Sequence, residues 1–287
     1  AVSDWGTLLL LGAAAAAIIA LGWWLLIETE GVYLGRRVVI WLYDLYARRY
    51  DDIKQFHSEY DHMFLAQPIM ESIAPVRAPL VLDVATGTAR LPLALLHHAH
   101  FQGRVIGVDL SRKMLAIAAE KLQAAVGDQA AARTPLLWSP AERLPFPDDT
   151  FDVVTCLEAL EFMQRPEAVV GEIARVLRPG GLLLITNRIS TRLMPGKTWS
   201  AKRVQAIVEA AGFEHVFVDY WQVDYDRVWG RKRGTSLPTL ARPLAEVLRC
   251  PRCQAALLES HADRWRCPAC GQRAAVIEGG IIDLSAP

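Results

Sequence analysis

The chain of 287 residues is long enough for one complete α/β domain together with smaller segments. Lys and Arg together number 31, as do Asp and Glu, so the formal net charge is zero. This balance provides no overall positive field that would attract nucleic acid, and it argues against a nucleic-acid partner.

The first predicted element is an apolar helix near the N-terminus. Residues 8–27 carry no charge, and at ~1.5 Å per residue they would span ~30 Å, the thickness of a bilayer's hydrocarbon core. Trp5 lies just before this run and the pair Trp23–Trp24 lies near its other end, where aromatic residues mark membrane interfaces. A cleaved signal peptide is disfavoured because the segment before the run contains Asp4 and no basic residue, and a buried helix of a soluble protein is the other alternative. We expect a transmembrane anchor over residues 1–30.

Basic residues follow the apolar segment and predict its orientation. Arg36, Arg37, Arg48 and Arg49 come after it, and no Lys or Arg precedes it. The positive-inside rule then predicts a single-pass protein of the inner (cytoplasmic) membrane, with its soluble domains in the cytoplasm. Helical periodicity over residues 31–75 predicts a juxtamembrane helical cap.

Strand and helix signals alternate through the middle of the chain. Such alternation predicts an α/β fold whose parallel sheet is covered by helices on both faces. Two strand signals lie close together within residues 214–232, which predicts a hairpin and one antiparallel edge strand. The other strand signals fall at residues 79–84, 103–110, 134–138, 151–157 and 182–187.

A short loop follows the first predicted strand in the segment VLDVATGTAR, residues 81–90. A loop between a strand and a helix is where open α/β sheets bind nucleotides. The dinucleotide pattern G-x-G-x-x-G would place its third glycine at Arg90, which disfavours NAD. The spacing of Asp83, Ala85, Gly87 and Ala89 instead gives D-x-A-x-G-x-A.

This loop and the segments after it resemble the class I S-adenosylmethionine-dependent methyltransferases. The resemblance extends through VIGVDLSRKML and through residues 141–187, in the family's order. It implies a Rossmann-like, mostly parallel sheet of seven strands, with residues 76–233 as the methyltransferase domain. The implied cofactor is S-adenosylmethionine, and another ligand on the same fold is the alternative.

The resemblance also implies cofactor contacts. Asp83 would accept a hydrogen bond from the cofactor's ammonium group and Asp109 from the ribose hydroxyls, although each acid could instead cap a loop. Gly87 would let the backbone approach the cofactor, and Met114 would pack on the adenine. Three departures from the family pattern, Ala85, Ala89 and Pro140, put the strength of binding in question. The remaining expected cofactor-binding positions are Tyr50, Leu110, Ala141 and Leu157.

Two carboxylates are the candidates for a catalytic base, Glu158 and Glu161. They follow the fourth predicted strand, near where the transferable methyl group would point. Methyl transfer depends mainly on in-line positioning, so an ordinary solvated or capping role is the favoured alternative for either residue. Tyr46 and Tyr50 resemble residues that close over the cofactor in relatives. The alternative is an amphipathic helix that packs on the sheet, with these tyrosines on its apolar face.

Four cysteines near the C-terminus have the spacing of a metal site. Cys250 and Cys253 form one C-x-x-C pair, and Cys267 and Cys270 form another after thirteen intervening residues. Two such pairs give tetrahedral sulfur coordination suited to structural Zn²⁺, with an iron–sulfur site as the alternative. The segment resembles the small zinc-ribbon activator subunits of methyltransferases. It predicts a linker at residues 234–243 and a zinc ribbon at 244–287.

The leading hypothesis is a membrane-anchored S-adenosylmethionine-dependent methyltransferase that acts on a lipid-like, pigment or membrane-protein acceptor. The resemblance to quinone-biosynthesis methyltransferases makes a lipid acceptor attractive. A second hypothesis is an accessory subunit of a larger membrane complex, respiratory or photosynthetic, that uses the same fold with weak or lost activity. An RNA-modifying enzyme is a third hypothesis, which the ribbon favours and the neutral charge disfavours.

Overall fold

One mixed sheet runs through the part of the chain that the structure, a computed structural model, describes: residues 2–261 and 264–285. Its strands are β1 (Leu80–Val84), β2 (Arg104–Asp109), β3 (Leu136–Trp138), β4 (Phe151–Cys156), β5 (Leu177–Arg188), β6 (Phe213–Gln222), β7 (Tyr225–Lys232), β8 (Glu259–His261), β9 (Arg264–Arg266), β10 (Arg273–Ile277) and β11 (Ile281–Asp283). Their spatial order is β6-β7-β5-β4-β1-β2-β3-β11-β10-β9-β8.

The α-helices precede and alternate with the first strands. The N-terminal helix α1 continues into a π-helical turn at Trp24–Glu28. The bounds are α1 (Val2–Trp23), α2 (Arg36–Tyr46), α3 (Tyr50–Lys54), α4 (Ser58–Asp61), α5 (Gln67–Ser72), α6 (Arg90–Leu96), α7 (Arg112–Val126), α8 (Ala130–Arg133), α9 (Pro166–Val176) and α10 (Ala201–Ala210).

The central strands β1 and β4 are buried along their whole length, which explains their nearly continuous apolar sequences. β1 pairs in parallel with both β2 and β4, and β4 pairs in parallel with β5. The expected hairpin is β6–β7. The antiparallel strand is β7, which lies between β5 and β6. The sequence predicted the antiparallel strand at the edge of the sheet, but β6 occupies that edge. The connection through α10 leaves a space one strand wide between β5 and β6, and β7 fills it.

The C-terminal ribbon continues the sheet. β11 pairs in parallel with β3, with Ile282 opposite Leu137 and Asp283 opposite Trp138. Ribbon side chains such as Leu248 and Trp265 belong to the same buried cluster as strands β1, β4 and β5. The predicted seven-stranded sheet is therefore present, and four strands of the ribbon extend it.

The N-terminal helix stands apart from this core. The segment Trp5–Glu28 is long and apolar enough to cross a membrane, and its most apolar window has no buried residue. It is the one such helix among residues 2–261 and 264–285. The cap that follows does contact the domain: Asp44 of α2 accepts a hydrogen bond from the Ser111 hydroxyl over 2.6 Å.

Candidate cofactor site and zinc site

The turn after β1 has an uncommon backbone conformation. Ala85, Gly87 and Ala89 have φ angles of 59°, 54° and 67°. A positive φ suits glycine because a Cβ atom crowds the following carbonyl oxygen, at a cost of roughly 1–2 kcal/mol per residue. The two alanines that depart from the family pattern therefore occupy the positions where a glycine would be relaxed. Ala89 is also fully buried at the start of α6.

Asp109, at the end of β2, holds this turn from the neighbouring strand. Its Oδ2 accepts a hydrogen bond from Gly87 N over 2.8 Å, and its Oδ1 accepts one from Ser111 N over 2.7 Å. Burial raises the pKa of Asp109, and these backbone hydrogen bonds oppose the rise. The carboxylate lines a cavity at the carboxyl ends of the parallel strands, which is where open α/β sheets bind their ligands.

Asp83 lies beneath the same turn and does not line the cavity. Its Oδ1 accepts a hydrogen bond from the Thr155 hydroxyl over 2.6 Å, and its Oδ2 accepts one from Thr86 over 2.7 Å. Burial raises the pKa of Asp83 to about 6. In this arrangement the side chain supports the turn, and its expected contact with a cofactor ammonium group stays a prediction.

The cavity brings together most of the residues expected at the cofactor site. Ala89 and Glu161 lie outside it, as does Asp83. The expected residues that line it are Tyr50, Ala85, Gly87, Asp109, Leu110, Met114, Ala141, Leu157 and Glu158.

Helix α2 supplies lining residues that the sequence reasoning missed. Arg36, Ile40 and Tyr43 project into the cavity, and their spacing of four and three residues places them on one face of a helix. That periodic face is the signal that could have identified them. Arg36 also forms an ion pair with Glu142 over 3.1 Å. Helix α2 of the cap therefore contacts the segment that follows β3. Tyr46 lines a different cavity.

The two candidate bases have different surroundings. Oε1 of Glu158 accepts hydrogen bonds from Arg90 and from Gln222, each over 2.6 Å. Glu161 lines a neighbouring cavity and accepts hydrogen bonds from Tyr225 and Arg188. Burial raises the pKa of Glu161, against the effect of Arg188. Only Glu158 therefore faces the cofactor cavity, and it does so as part of an ion pair.

The residues that line the cavity suit a nucleoside that carries a sulfonium group. Asp109 offers a carboxylate of the type that accepts from a ribose diol. Leu110, Met114 and Ala141 offer an apolar slot for a base. Pro140 has no side-chain acceptor for an adenine amino group, and its neighbour Ser139 is one of the residues that line the cavity.

The four cysteines form one compact cluster. Their sulfur atoms all lie within 4.8 Å of one another, with 3.7 Å between Cys250 and Cys270 and 3.6 Å between Cys253 and Cys267. Tetrahedral zinc with Zn–S bonds of ~2.3 Å requires sulfur separations of ~3.8 Å. The cluster therefore has the dimensions of a four-thiolate zinc site.

Each C-x-x-C pair sits on a tight backbone knuckle. Gln254 N donates to Cys250 O over 3.0 Å, and Gly271 N donates to Cys267 O over the same distance. Both Gln254 and Gly271 have positive φ angles, of 53° and 75°. The reversal of the chain turns both sulfurs of a pair to one side, as a shared metal requires.

Comparison with known sequences identifies the central part of the chain. Residues 82–185 match a family described as "Methyltransferase domain". The chain is 33% identical over 159 residues to the ubiquinone/menaquinone biosynthesis C-methyltransferase UbiE of Roseobacter denitrificans, across 54% of this chain and 60% of that protein. It is 34% identical over 143 residues to the demethylmenaquinone methyltransferase of Lactiplantibacillus plantarum, across 50% and 59%. The chain thus spans about three fifths of the length of these relatives.

Two solved structures share the fold. The [4+2]-cyclase SpnF superposes with a TM-score of 0.57 at 18% identity, over 70% of this chain and 98% of that one. A chain in the complex between the Haloferax volcanii Trm112 methyltransferase activator and a methyltransferase superposes with a TM-score of 0.53 at 22% identity, over 68% and 97%. At these identities the likeness shows the fold alone. Residues 82–185 are therefore similar in sequence to a methyltransferase domain, and the sheet around them has the fold of these two structures.

Proposed function

We propose that this protein is a membrane-anchored methyltransferase that uses S-adenosylmethionine at the cytoplasmic face of the inner membrane. The observation that carries the proposal is the cavity between the turn at Ala85–Ala89 and the carboxylate of Asp109. A nucleoside cofactor would meet a diol acceptor and an apolar slot there, at the carboxyl edge of the sheet.

The residues around the cavity have separate roles in this proposal. Bound S-adenosylmethionine supplies an electrophilic methyl group. Asp109 would hold its ribose, Leu110 and Met114 would contact the adenine, and Tyr50 would cover the cofactor from the cap. Glu158 adds a carboxylate that Arg90 holds in place over 2.6 Å. Close alignment of acceptor and methyl group accounts for ~7–11 kcal/mol of a barrier in favourable cases, so positioning is the main requirement, and the proton that the acceptor loses would pass to water or to a carboxylate.

The apolar helix and the named relatives favour a lipid-like acceptor. Trp5–Glu28 would anchor the chain in a bilayer, and Arg36, Arg37, Arg48 and Arg49 after it favour a cytoplasmic domain. The relatives' names point to ubiquinone and menaquinone biosynthesis, in which lipid-soluble rings are methylated. Among the acceptor classes expected from the sequence, we therefore favour a ring with an apolar chain over a membrane protein or a pigment.

The zinc ribbon would act as a built-in support of the domain. Its β11 pairs with β3, and β3 ends at Trp138, directly before the cavity residue Ser139. Structural Zn²⁺ at the four cysteines would therefore stabilise one wall of the cofactor cavity.

Methyl transfer to extracted membrane lipids tests this proposal. The full-length protein is reconstituted with membrane lipid extract and S-adenosylmethionine labelled in its methyl group. We expect label in the organic phase with the active protein and background label with Asp109→Asn. Absence of label from lipid and protein fractions, although the cofactor binds, would contradict the proposal.

The second candidate, an accessory subunit of a larger membrane complex with weak or lost activity, draws support from Ala85 and Ala89. Both are alanines at positive φ, in the turn on which cofactor binding depends. Co-purification of a stable complex, together with failure to bind the cofactor, would favour this candidate.

A further inference from the structure

A second cavity lies at the membrane end of the cap and shares a wall with the cofactor cavity. Leu26 and Ile27 line it from the end of the apolar N-terminal helix, and Leu42, Tyr46 and Ile53 line it from the cap. Apolar side chains on both sides suit an apolar ligand.

Two tyrosine side chains separate this cavity from the cofactor cavity. Tyr43 and Tyr50 line both spaces, and their ring centroids lie 5.6 Å apart. Tyr43 also packs edge-on against Phe162, a residue of the cofactor cavity, with 5.5 Å between centroids. The two cavities are therefore neighbours that share Tyr43 and Tyr50 as lining residues.

The outer end of the second cavity coincides with the end of the apolar helix. Leu26 and Ile27 are among the last residues of Trp5–Glu28. Beyond them, α2 exposes Trp41 and Leu45, which are 57% and 58% accessible and lie one helical turn apart. Apolar side chains flanked by the exposed Arg37 and Arg48 suit a helix that lies at the lipid headgroups. The cavity therefore opens where a bilayer would end.

The inner end of the cavity is polar. Glu30 accepts hydrogen bonds from the Tyr43 hydroxyl over 2.9 Å and from Lys54 over 3.3 Å, and Arg188 lies 3.4 Å from the same carboxylate. Charged and hydroxyl groups thus cluster beside the tyrosines, and Leu26, Ile27 and Ile53 supply an aliphatic part of the lining. Arg192 also lines the cavity and pairs with Glu28 at the end of the helix. A ligand that suits this lining has a polar ring beside the tyrosines and an apolar chain along the aliphatic residues.

We propose that this cavity is the entrance by which such an acceptor passes from the membrane to the cofactor. Its ring would displace or stack on Tyr43 and Tyr50, and its chain would lie along Leu26, Ile27 and Ile53. The inference rests on the proposed methyltransferase function and adds to it the route and the shape of the acceptor.

Photo-crosslinking in vesicles tests the entrance. The probe is a 1,4-naphthoquinone with a farnesyl-length chain that carries a diazirine, and the labelled residues are identified by mass spectrometry. We expect labels on the cavity residue Leu42, which is 5% accessible, besides any on the exposed Leu26, Ile27 and Ile53. The Ile53→Trp variant places a larger ring at the rim of the cavity, where Ile53 is 57% accessible, and should reduce that labelling about tenfold by narrowing the entrance. Leu45→Trp adds the same ring to an exposed position outside the cavity and should leave the labelling unchanged.

Calorimetric binding of S-adenosylmethionine to the same preparations distinguishes failure of the proposed entrance from failure of the proposed methyltransferase function. Normal cofactor binding with labels confined to the exposed surface of α1, or with labelling that Ile53→Trp leaves intact, would overturn the entrance alone. Cavity labelling without any cofactor binding would support the apolar site and count against the proposed function.

Discussion

The backbone N–H of Gly87 donates a hydrogen bond to Oδ2 of Asp109 over 2.8 Å. This bond joins the turn after β1 to the end of β2, so one carboxylate shapes the floor of the cofactor cavity and also faces the space above it. Ser111 N binds the other oxygen, and the Ser111 hydroxyl reaches Asp44 of the cap. Loop, strand end and cap thus meet at Asp109.

Asp109→Asn should weaken cofactor binding, and it should also loosen the turn because one oxygen that accepts from Gly87 N or Ser111 N becomes an amide donor. The amide keeps one acceptor oxygen and loses the charge, and a hydrogen bond to a charged group is worth ~1.5–3 kcal/mol, or about 10- to 100-fold in Kd. Calorimetric titration measures the change. Asp52→Asn, at an exposed position of α3, is the matched control and should bind as the unmodified chain does. Equal affinity in the two variants would contradict a ribose-binding role.

Ala85→Gly and Ala89→Gly should each stabilise the protein. Glycine relieves the strain of a positive φ but loses more backbone entropy on folding, so we expect a net gain of roughly 0.5–1 kcal/mol for each change. Denaturant unfolding measures it. Ala94→Gly, inside α6 with an ordinary helical backbone, should instead destabilise. A loss of stability at both turn positions would show that the turn does not favour glycine.

Asp83 predicts a pH dependence of stability. Its pKa is about 6 in the folded state against an ordinary value of 3.8, so between these values the folded chain binds more protons than the unfolded chain. The free energy of unfolding therefore falls as pH rises from about 4 to about 6, and the penalty is complete above that range. Asp83→Asn removes this contribution. Subtracting the variant's pH profile from that of the unmodified chain isolates it, and a flat difference would contradict the assignment.

Zinc removal should destabilise the methyltransferase domain together with the ribbon. The ribbon shares the buried cluster and the sheet, so its collapse would expose the β3 edge. We expect the chelated protein to melt more than about 5 °C lower, which corresponds to ~2 kcal/mol at this size. Cys267→Ser should have the same effect and abolish zinc in elemental analysis. Cys156, buried in β4 away from the cluster, should be replaceable by Ala without loss of zinc.

The segment predicted as a linker is held to the domain by one buried carboxylate. Asp152 pairs with Arg178 over 2.6 Å and accepts hydrogen bonds from the backbone N–H groups of Thr239 and Leu240. Asp152→Ala would leave these partners buried and unpaired, at a cost of ~3–5 kcal/mol. Asp148→Ala removes a surface partner of Arg175 and should cost at most ~1 kcal/mol. Similar unfolding free energies for the two variants would contradict the larger contribution that we assign to Asp152.

The parts of the fold that follow local rules could be predicted from the sequence. Buried parallel strands read as apolar runs, so β1 and β4 were identifiable, and the helix after Ser111 begins as its capping residue predicts. The cysteine spacing predicted the compact cluster because the two knuckles are local structures. The position of Asp109 at a strand end was likewise visible in the sequence.

What the sequence did not reveal depends on long-range contacts. Nothing local indicates that Ile282 lies opposite Leu137, so the pairing that joins the ribbon to the sheet was not predicted. The pairing of Glu158 with Arg90 spans 68 positions, and the cap's contribution through Tyr43 requires α2 to pack over the sheet. The hydrogen bonds of Asp83 with Thr86 and Thr155 were not predicted either, and its contact with a cofactor ammonium group stays a prediction.

Calorimetric titration of the full-length, zinc-loaded protein with S-adenosylmethionine tests the central claim most directly. We expect saturable binding of one cofactor per chain. Asp109→Asn should weaken this binding, and Asp52→Asn should leave it unchanged. Absence of binding at millimolar cofactor would contradict it and would leave the chain as a scaffold with a methyltransferase fold.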